Sequence, residues 1–232
     1  MPVPTIAKAE DRRALVQQAL LSPRGRYSAT RASQLSGIPI STVYEWQRHN
    51  VYPPDYQRAS PLAWSYRDLI YLRLLAWLRT NRVPRADAAA EVVAIKRALM
   101  AGTRVDIIRT DGKSILLDDQ LTNQIGGQDP FQDLAITRLM DTFDLLEPLD
   151  ELGHLPLWGP NLVNPSACTF ISPLVMAGEP CVESTRIPTA SIHALHEERG
   201  LSAERIVRLY PALTIESVDD AIGLELRLRR AA

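Results

Sequence analysis

Apolar residues recur at helical spacing along most of the chain, and proline or glycine marks the points where helices should end. The apolar side chains of residues 15–20 share one helical face, and Pro23 and Gly25 follow them. A run of short helices is expected from Thr30 to Met100. The N-terminal part of the chain is therefore predicted to be helical.

The pattern changes between residues 105 and 117. Val105–Arg109 and Ser114–Leu117 are short, largely apolar runs on either side of Thr110–Lys113, which contains the dipeptide Asp-Gly. This dipeptide tolerates the positive φ angles of a tight turn. We predict a β-hairpin in a mostly helical protein.

A longer amphipathic helix is expected after the hairpin. Asp129 and Pro130 suit its start, apolar residues recur from Phe131 to Leu146, and Pro148 ends it. Residues 148–165 contain four prolines and two glycines, a composition that sustains neither a helix nor a central strand. We interpret this segment as a semi-rigid linker.

Three helices are predicted in a small domain that begins near Ser166. Capping residues and helix breakers place the first at Thr189–Arg199, which Gly200 closes. The second is capped by Ser202 and stops before Pro211, and the third is capped by Thr214 and runs to about Arg230.

The charge distribution divides the chain into a basic and an acidic half. Residues 1–105 hold 16 Lys and Arg against 7 Asp and Glu, whereas residues 106–232 hold 10 against 20. Such a split indicates a basic surface for nucleic acid in one half and a different partner in the other. A solvated basic face without function is the alternative.

Other features of composition exclude several classes of protein. The first residues have no apolar core of a signal peptide, and the longest apolar stretch, Leu69–Leu78, is interrupted by Arg73. Two cysteines make neither a disulfide framework nor a four-cysteine zinc site. We expect a soluble cytoplasmic protein that does not enter a membrane.

A candidate DNA-binding helix pair lies between Tyr27 and Arg48. Gly37 supplies a sharp turn, and the apolar residues around it have the spacing of one small core. The second helix should then turn its polar side chains outward, where they can reach base edges and phosphates. These candidates are Ser41, Thr42, Tyr44, Gln47 and Arg48.

This stretch, continued through His49–Pro54, Trp64–Arg73 and Leu78–Pro84, resembles the N-terminal domain of MerR-type transcription regulators. The resemblance implies a winged helix-turn-helix from Tyr27 to about Arg85. Arg58 in the wing and Arg67 complete the predicted DNA-binding set. The start at Ser65, with Asp68 three positions later, has the form of a capped helix end that could hold a phosphate. The predicted wing, Asp55 to Ala63, lacks the glycines that are usual in this family. The long dimerising helix of the family is not evident in the sequence either.

The C-terminal region carries a second resemblance, through Ile171–Pro173, Gly178–Pro188, Gly200–Val207 and the motifs Tyr210-Pro211, Leu213-Thr214 and Ala221-Ile222. It looks like the family known as domain of unknown function 433. The resemblance implies a small helical, homeodomain-like module of antitoxins, whose partners are ribonucleases of the PIN-domain type. Ser184 stands where the family usually has glycine.

Four arginines of this region are candidates for partner binding. Arg186 either braces the helices through carbonyls or acids, or faces a partner. Arg227, Arg229 and Arg230 form a basic tip that could enter the acidic groove of such a nuclease. The alternative is that they complement the helix dipole.

Two further groups of residues are weaker candidates for metal sites. His193, His196 and Glu197 can share a helix face but lack the ligand order of a catalytic zinc site. A set of acids could supply a two-metal nuclease site but is more typical of a solvated face. These acids are Asp118, Asp119, Asp141, Asp144, Glu147, Asp150 and Glu151. We predict no catalytic residue, metal or cofactor.

The resulting interpretation is a mainly α-helical, VapB-like antitoxin and autorepressor that is not an enzyme. It should bind its own operator DNA as a homodimer and neutralise a cognate PIN-domain ribonuclease. The alternatives are a MerR-type regulator that responds to a small ligand and a metal-dependent nuclease. The predicted divisions are an N-terminal helix (1–22), the winged helix-turn-helix (23–105), the hairpin, helix and linker (106–165), and the C-terminal helical domain (166–232).

Overall fold

The structure of the protein is a computed structural model that is mainly helical and contains small sheets. It describes residues 18–56, 61–80, 84–101, 107–110, 115–116, 132–135 and 159–230. The predicted fold class is confirmed at this level. No helix within these described ranges combines the length and the apolar character that crossing a membrane requires.

The N-terminal region consists of helices that pack around one core. Residues 18–21 are helical, and they are followed by α1 (Ala29–Ser36), α2 (Ile40–Arg48), α3 (Tyr66–Thr80) and α4 (Arg85–Met100). Two antiparallel bridges, Tyr27 with Trp64 and Tyr56 with Ala63, join the chain before α1 and after α2 to the segment that leads into α3. Helix α3 is buried almost all round, because α1 and α4 both pack against it.

The predicted hairpin is present in the middle of the chain. Strand β1 (Ile107–Thr110) pairs antiparallel with β2 (Ile115–Leu116), with Arg109 opposite Leu116. The other edge of β1 pairs antiparallel with β3 (Gln132–Ala135). The prediction of a helix from Phe131 to Leu146 is therefore wrong for residues 132–135. Pairing with the open edge of β1 satisfies their backbone groups and overrides the local helical pattern. The rest of that predicted helix lies outside the described residues.

The C-terminal region contains the three predicted helices. Strands β4 (Thr169–Phe170) and β5 (Cys181–Val182) precede α5 (Thr189–Glu197), α6 (Ala203–Leu209) and α7 (Ile215–Arg230). Thr214 and Ser217 cap α7 reciprocally, each backbone N–H donating to the other hydroxyl. Gly200 adopts a left-handed φ of 63° after α5, as a helix-ending glycine does.

One large core crosses from the N-terminal to the C-terminal region. Leu162, Val163 and Ile171, together with Leu224 and Leu228 of α7, belong to the same buried cluster as the residues of α1 to α4. A smaller cluster lies entirely within the C-terminal region. Its members are Val182, Ile192, Ile206, Leu213, Val218 and Ala221.

The end of the predicted linker is part of this large core. Residues 159–163 and Pro165 are buried. Prolines keep the segment extended, and partners from the N-terminal region bond its backbone. Arg73 donates to the Pro160 carbonyl, Tyr66 donates to the Leu162 carbonyl, and the Gly159 N–H donates to the Ser36 carbonyl. This part of the segment is a packed connection, not a spacer.

Candidate nucleic-acid interface

The turn between α1 and α2 forms as the sequence predicts. Ser28 caps α1 by accepting a hydrogen bond from the Arg31 N–H, and Gly37 ends it in the left-handed conformation with φ of 72°. The Ser33 hydroxyl donates to the Ile38 carbonyl at 2.6 Å across the turn. The expected core residues are all buried. They are Ala32, Leu35, Ile38, Val43 and Trp46.

Helix α2 presents a polar face to solvent. Of its nine residues, only Val43 and Trp46 are buried. Ser41, Tyr44 and Arg48 are exposed, whereas Thr42 and Gln47 are half-buried on the two sides of the helix. The five predicted DNA-binding residues of this helix therefore lie around its solvent side, with three of them at its centre.

Glu45 is a member of this face that the sequence analysis missed. It is exposed, and its Oε1 accepts a 2.6 Å bond from Nη1 of Arg85 at the start of α4. Helical spacing carries the signal, because a rotation of 100° per residue puts Glu45 beside Ser41 and Arg48 and opposite the buried pair. The partner Arg85 could not be found in this way, since α4 lies forty residues away.

Arg67 is not available for DNA, which corrects its place among the predicted contacts. The residue is 5% exposed. Its Nε and Nη2 donate to both carboxylate oxygens of Asp55, at 2.6 and 2.8 Å, and its Nη1 donates to the Leu20 carbonyl. A buried guanidinium with this full set of partners holds the protein together and does not contact a phosphate.

The predicted capping pair forms, but the phosphate site does not. The Ser65 N–H donates to Asp68 at 2.7 Å, and the Asp68 N–H donates to the Ser65 hydroxyl at 3.2 Å. Both residues are fully buried, and Asp55 accepts a hydrogen bond from the Ser65 hydroxyl. Two carboxylates thus occupy the helix start, where they would repel an anion.

Lys96 of α4 completes this buried cluster. Its Nζ lies 2.6 Å from Asp55 and 3.8 Å from Asp68, and 5.5 Å from the centre of the Tyr52 ring. Burial opposes ionisation of Asp55, but hydrogen bonds from Arg67, Lys96 and Ser65 outweigh it and lower its pKa to about 2. Burial, and then the charge of Asp55, raise the pKa of Asp68. The cluster fastens α4 to the segment that follows α2.

A second buried cluster joins α1 to the C-terminal region. Arg31 donates through Nη1 and Nη2 to both carboxylate oxygens of Glu225 in α7, at 2.9 and 2.8 Å, and through Nε to Glu179 at 2.8 Å. The Thr189 hydroxyl also donates to Glu225. Burial opposes ionisation of Glu225, but the bonds from Arg31 and Thr189 lower its pKa. Beside this cluster, the Tyr27 hydroxyl donates to the Gly178 carbonyl at 2.8 Å.

The four predicted partner-binding arginines are all exposed. Arg227, Arg229 and Arg230 lie in the last turn of α7, as predicted for a basic tip. Arg186 is exposed in the turn before α5, so the alternative in which it braces buried helices is not observed. Arg58 and the candidate acids of residues 118–151 lie outside the described residues.

The comparisons with known proteins concern the C-terminal region. Residues 171–223 match the family model described as a protein of unknown function (DUF433). Comparison of the chain with curated proteins and with solved structures finds no match. The matched segment runs from the residue after β4 to the middle of α7, so it contains Glu179 and Thr189 of the buried cluster around Arg31.

Proposed function

We propose that the chain is an antitoxin that binds its own operator through α2 and neutralises a PIN-domain ribonuclease. The observation that carries the DNA-binding part is the free face of α2. Ser41, Tyr44 and Arg48 are exposed on it, while Val43 and Trp46 anchor the opposite face in the core. A helix mounted in this way fits the major groove and can present hydroxyl and guanidinium groups to it.

The proposal assigns the N-terminal region to the winged helix-turn-helix class. The left-handed turn at Gly37 and the antiparallel bridge between Tyr56 and Ala63 support this assignment. The excess of basic residues in the N-terminal half supplies a favourable field for the phosphate backbone.

Binding of the full-length protein to duplex DNA from its own promoter region tests the proposal. About six phosphate contacts imply a loss of affinity of about a thousandfold between 50 and 200 mM salt. Arg48→Ala should weaken binding, by about 1 to 3 kcal/mol if the residue reads a base. Arg208→Ala, which removes an exposed arginine of α6, is the matched control. Binding that is absent, or equal for Arg48→Ala and the control, would contradict the proposal.

We assign toxin binding to the C-terminal region, on its match to the DUF433 family and on the exposed arginines at the end of α7. A PIN-type nuclease has a groove of metal-binding carboxylates, to which arginines can donate in pairs. The test is RNA cleavage by a candidate PIN-domain ribonuclease in the presence of this protein. The triple change Arg227→Ala, Arg229→Ala and Arg230→Ala should restore cleavage, and Arg199→Ala with Arg205→Ala should not. If the triple variant still inhibits cleavage, the inhibition depends on other residues, such as Arg186.

We further propose a homodimer, because helix-turn-helix proteins commonly bind paired half-sites one helical turn apart. The apolar residues of the Ala86–Met100 and Phe131–Leu146 segments predict a dimer contact there. The apolar face of α4 that holds Ala88, Val92 and Ile95, however, is already buried against the core. A dimer contact must therefore use another surface. A mass near 26 kDa by light scattering at micromolar concentration would argue for a monomer.

A further inference from the structure

The exposed face of α2 contains one acid among groups that suit DNA. The buried residues Val43 and Trp46 define the direction of the core, and the rotation of 100° per residue places Ser41, Glu45 and Arg48 on the opposite side. The Glu45 side chain is 49% exposed. A carboxylate in this position would face the groove when α2 faces the groove.

A carboxylate is costly near phosphates, which restricts what it can usefully contact. It accepts hydrogen bonds and donates none, so phosphate oxygens and the acceptor edge of guanine repel it. In the major groove its preferred donor is the N4 amino group of cytosine. An acid on a DNA-facing helix therefore selects among bases and adds little to overall affinity.

Arg85 is placed to orient this carboxylate. Its Nη1 donates to Oε1 of Glu45 at 2.6 Å, which fixes the carboxylate relative to the first turn of α4. Both side chains are about half exposed, and exposed ion pairs contribute about 0 to 1 kcal/mol to stability. The pair is therefore not needed for folding, and its effect is to order a flexible side chain before DNA arrives.

We infer that Glu45, held by Arg85, is a specificity-determining residue that accepts a hydrogen bond from the amino group of a cytosine in the operator. This inference rests on the proposed DNA-binding function. Arg48 lies on the same face and has the opposite preference, because guanidinium groups bind guanine or phosphate. The two residues together would distinguish the two strands of a G·C pair.

Selection of duplexes from a randomised pool by the full-length protein tests the inference. Wild type should prefer cytosine at one position of each half-site, by about 5- to 150-fold over other bases, the usual range for one mismatched base pair. Glu45→Ala should lose this preference and keep the others. Glu45→Gln should prefer adenine at the same position, because an amide pairs with adenine N6 and N7.

Arg85 is a positioning residue, and its variants separate orientation from structure. Arg85→Ala should weaken the cytosine preference, and Arg85→Lys should retain it, because one donor reaches Oε1. Glu204→Ala, an exposed acid on α6, is the control and should select the wild-type sequence.

Different experimental outcomes would contradict the role of Glu45 and the proposed DNA binding. A wild-type protein that selects a sequence, together with a Glu45→Ala variant that selects the same one, overturns the role of Glu45 and leaves DNA binding intact. A wild-type protein without salt-sensitive DNA binding overturns both.

Discussion

Two buried arginine clusters stabilise different parts of this molecule, and they differ in the distance along the chain that they join. Arg67 binds Asp55, twelve residues before it, and this cluster is confined to the N-terminal region. Arg31 binds Glu225, which lies 194 residues later in α7. One cluster completes a local unit, and the other ties the two ends of the chain together.

The Arg31 cluster connects the C-terminal region directly to α1. Charge and prolines predict a C-terminal module at the end of a linker, separable from the basic N-terminal half. The bonds of Arg31, together with the core shared by α1 to α4 and α7, instead make α1 part of the contact with that region. A fragment of residues 106–232 would therefore lose the packing of α7 against the N-terminal helices.

The largest effect is expected from Arg31→Met. The change leaves Glu225 and Glu179 charged without their buried partner, which costs about 3 to 5 kcal/mol. Urea unfolding of the full-length protein should show the loss in the transitions of both regions. Arg31→Met combined with Glu225→Met should recover part of it, since apolar replacement of the buried Arg31–Glu225 pair is often neutral but Glu179 still lacks Arg31. A loss of less than about 1 kcal/mol, the range of exposed pairs, would contradict the role of Arg31 as a buried connection.

A second way to break the same contact is Gly178→Ala. Gly178 has φ of 91°, and a methyl group there would overlap the Tyr27 hydroxyl. Gly200→Ala is the matched control, because Gly200 also has a positive φ, of 63°, but open space around it. Both changes should cost about 1 to 2 kcal/mol in backbone strain, and Gly178→Ala should cost about 1 to 3 kcal/mol more through overpacking. Equal free energies of unfolding for the two variants would show that the region around Tyr27 and Gly178 is not tightly packed.

The sequence predicts the local features of this fold well. The turn at Gly37, the hairpin of β1 and β2, and the starts of α5 to α7 follow from capping residues, breakers and periodicity, which act within a few residues. The polar face of α2 follows in the same way. Glu45 was within reach of this reasoning, because it lies one turn from Ser41.

The side-chain pairs and strand pairing that the sequence does not predict depend on residues outside the local pattern. Arg67 and Asp55 have nothing in their neighbours to show that they pair, and the same holds for Arg31 and Glu225. Whether an arginine can contact DNA or forms a buried ion pair depends on which carboxylate the fold brings close to it. The strand at residues 132–135 is a further case, because its pairing partner β1 and not its own pattern decides its structure.

The cluster of Arg67 and Asp55 should contribute less to the free energy of unfolding than the Arg31 cluster, and its contribution should depend on pH. The pKa of Asp55 is lowered from 3.8 to about 2 in the folded protein, so its stabilisation is complete above about pH 4 and is lost as the pH falls towards 2. Asp55→Asn removes this titration. The free energy of unfolding should therefore fall less steeply for the variant than for wild type below pH 4. Asp219→Asn, at an exposed position on α7, should keep the wild-type slope, and a slope for Asp55→Asn equal to that of wild type would contradict the assignment.

The smallest expected effect is a gain in stability from Ser184→Gly, in the turn between β5 and α5. Ser184 has φ of 59°, a left-handed conformation that costs a residue with a side chain about 1 to 2 kcal/mol. Glycine relieves this strain but brings about 0.5 to 1 kcal/mol of extra chain entropy to the unfolded state. We therefore expect a net gain of up to about 1.5 kcal/mol in urea unfolding. Ser191→Gly is the matched control, because Ser191 is exposed within helix α5, where glycine only destabilises. A loss of stability in both variants would mean that the Ser184 side chain contributes more to the turn than its backbone strain removes.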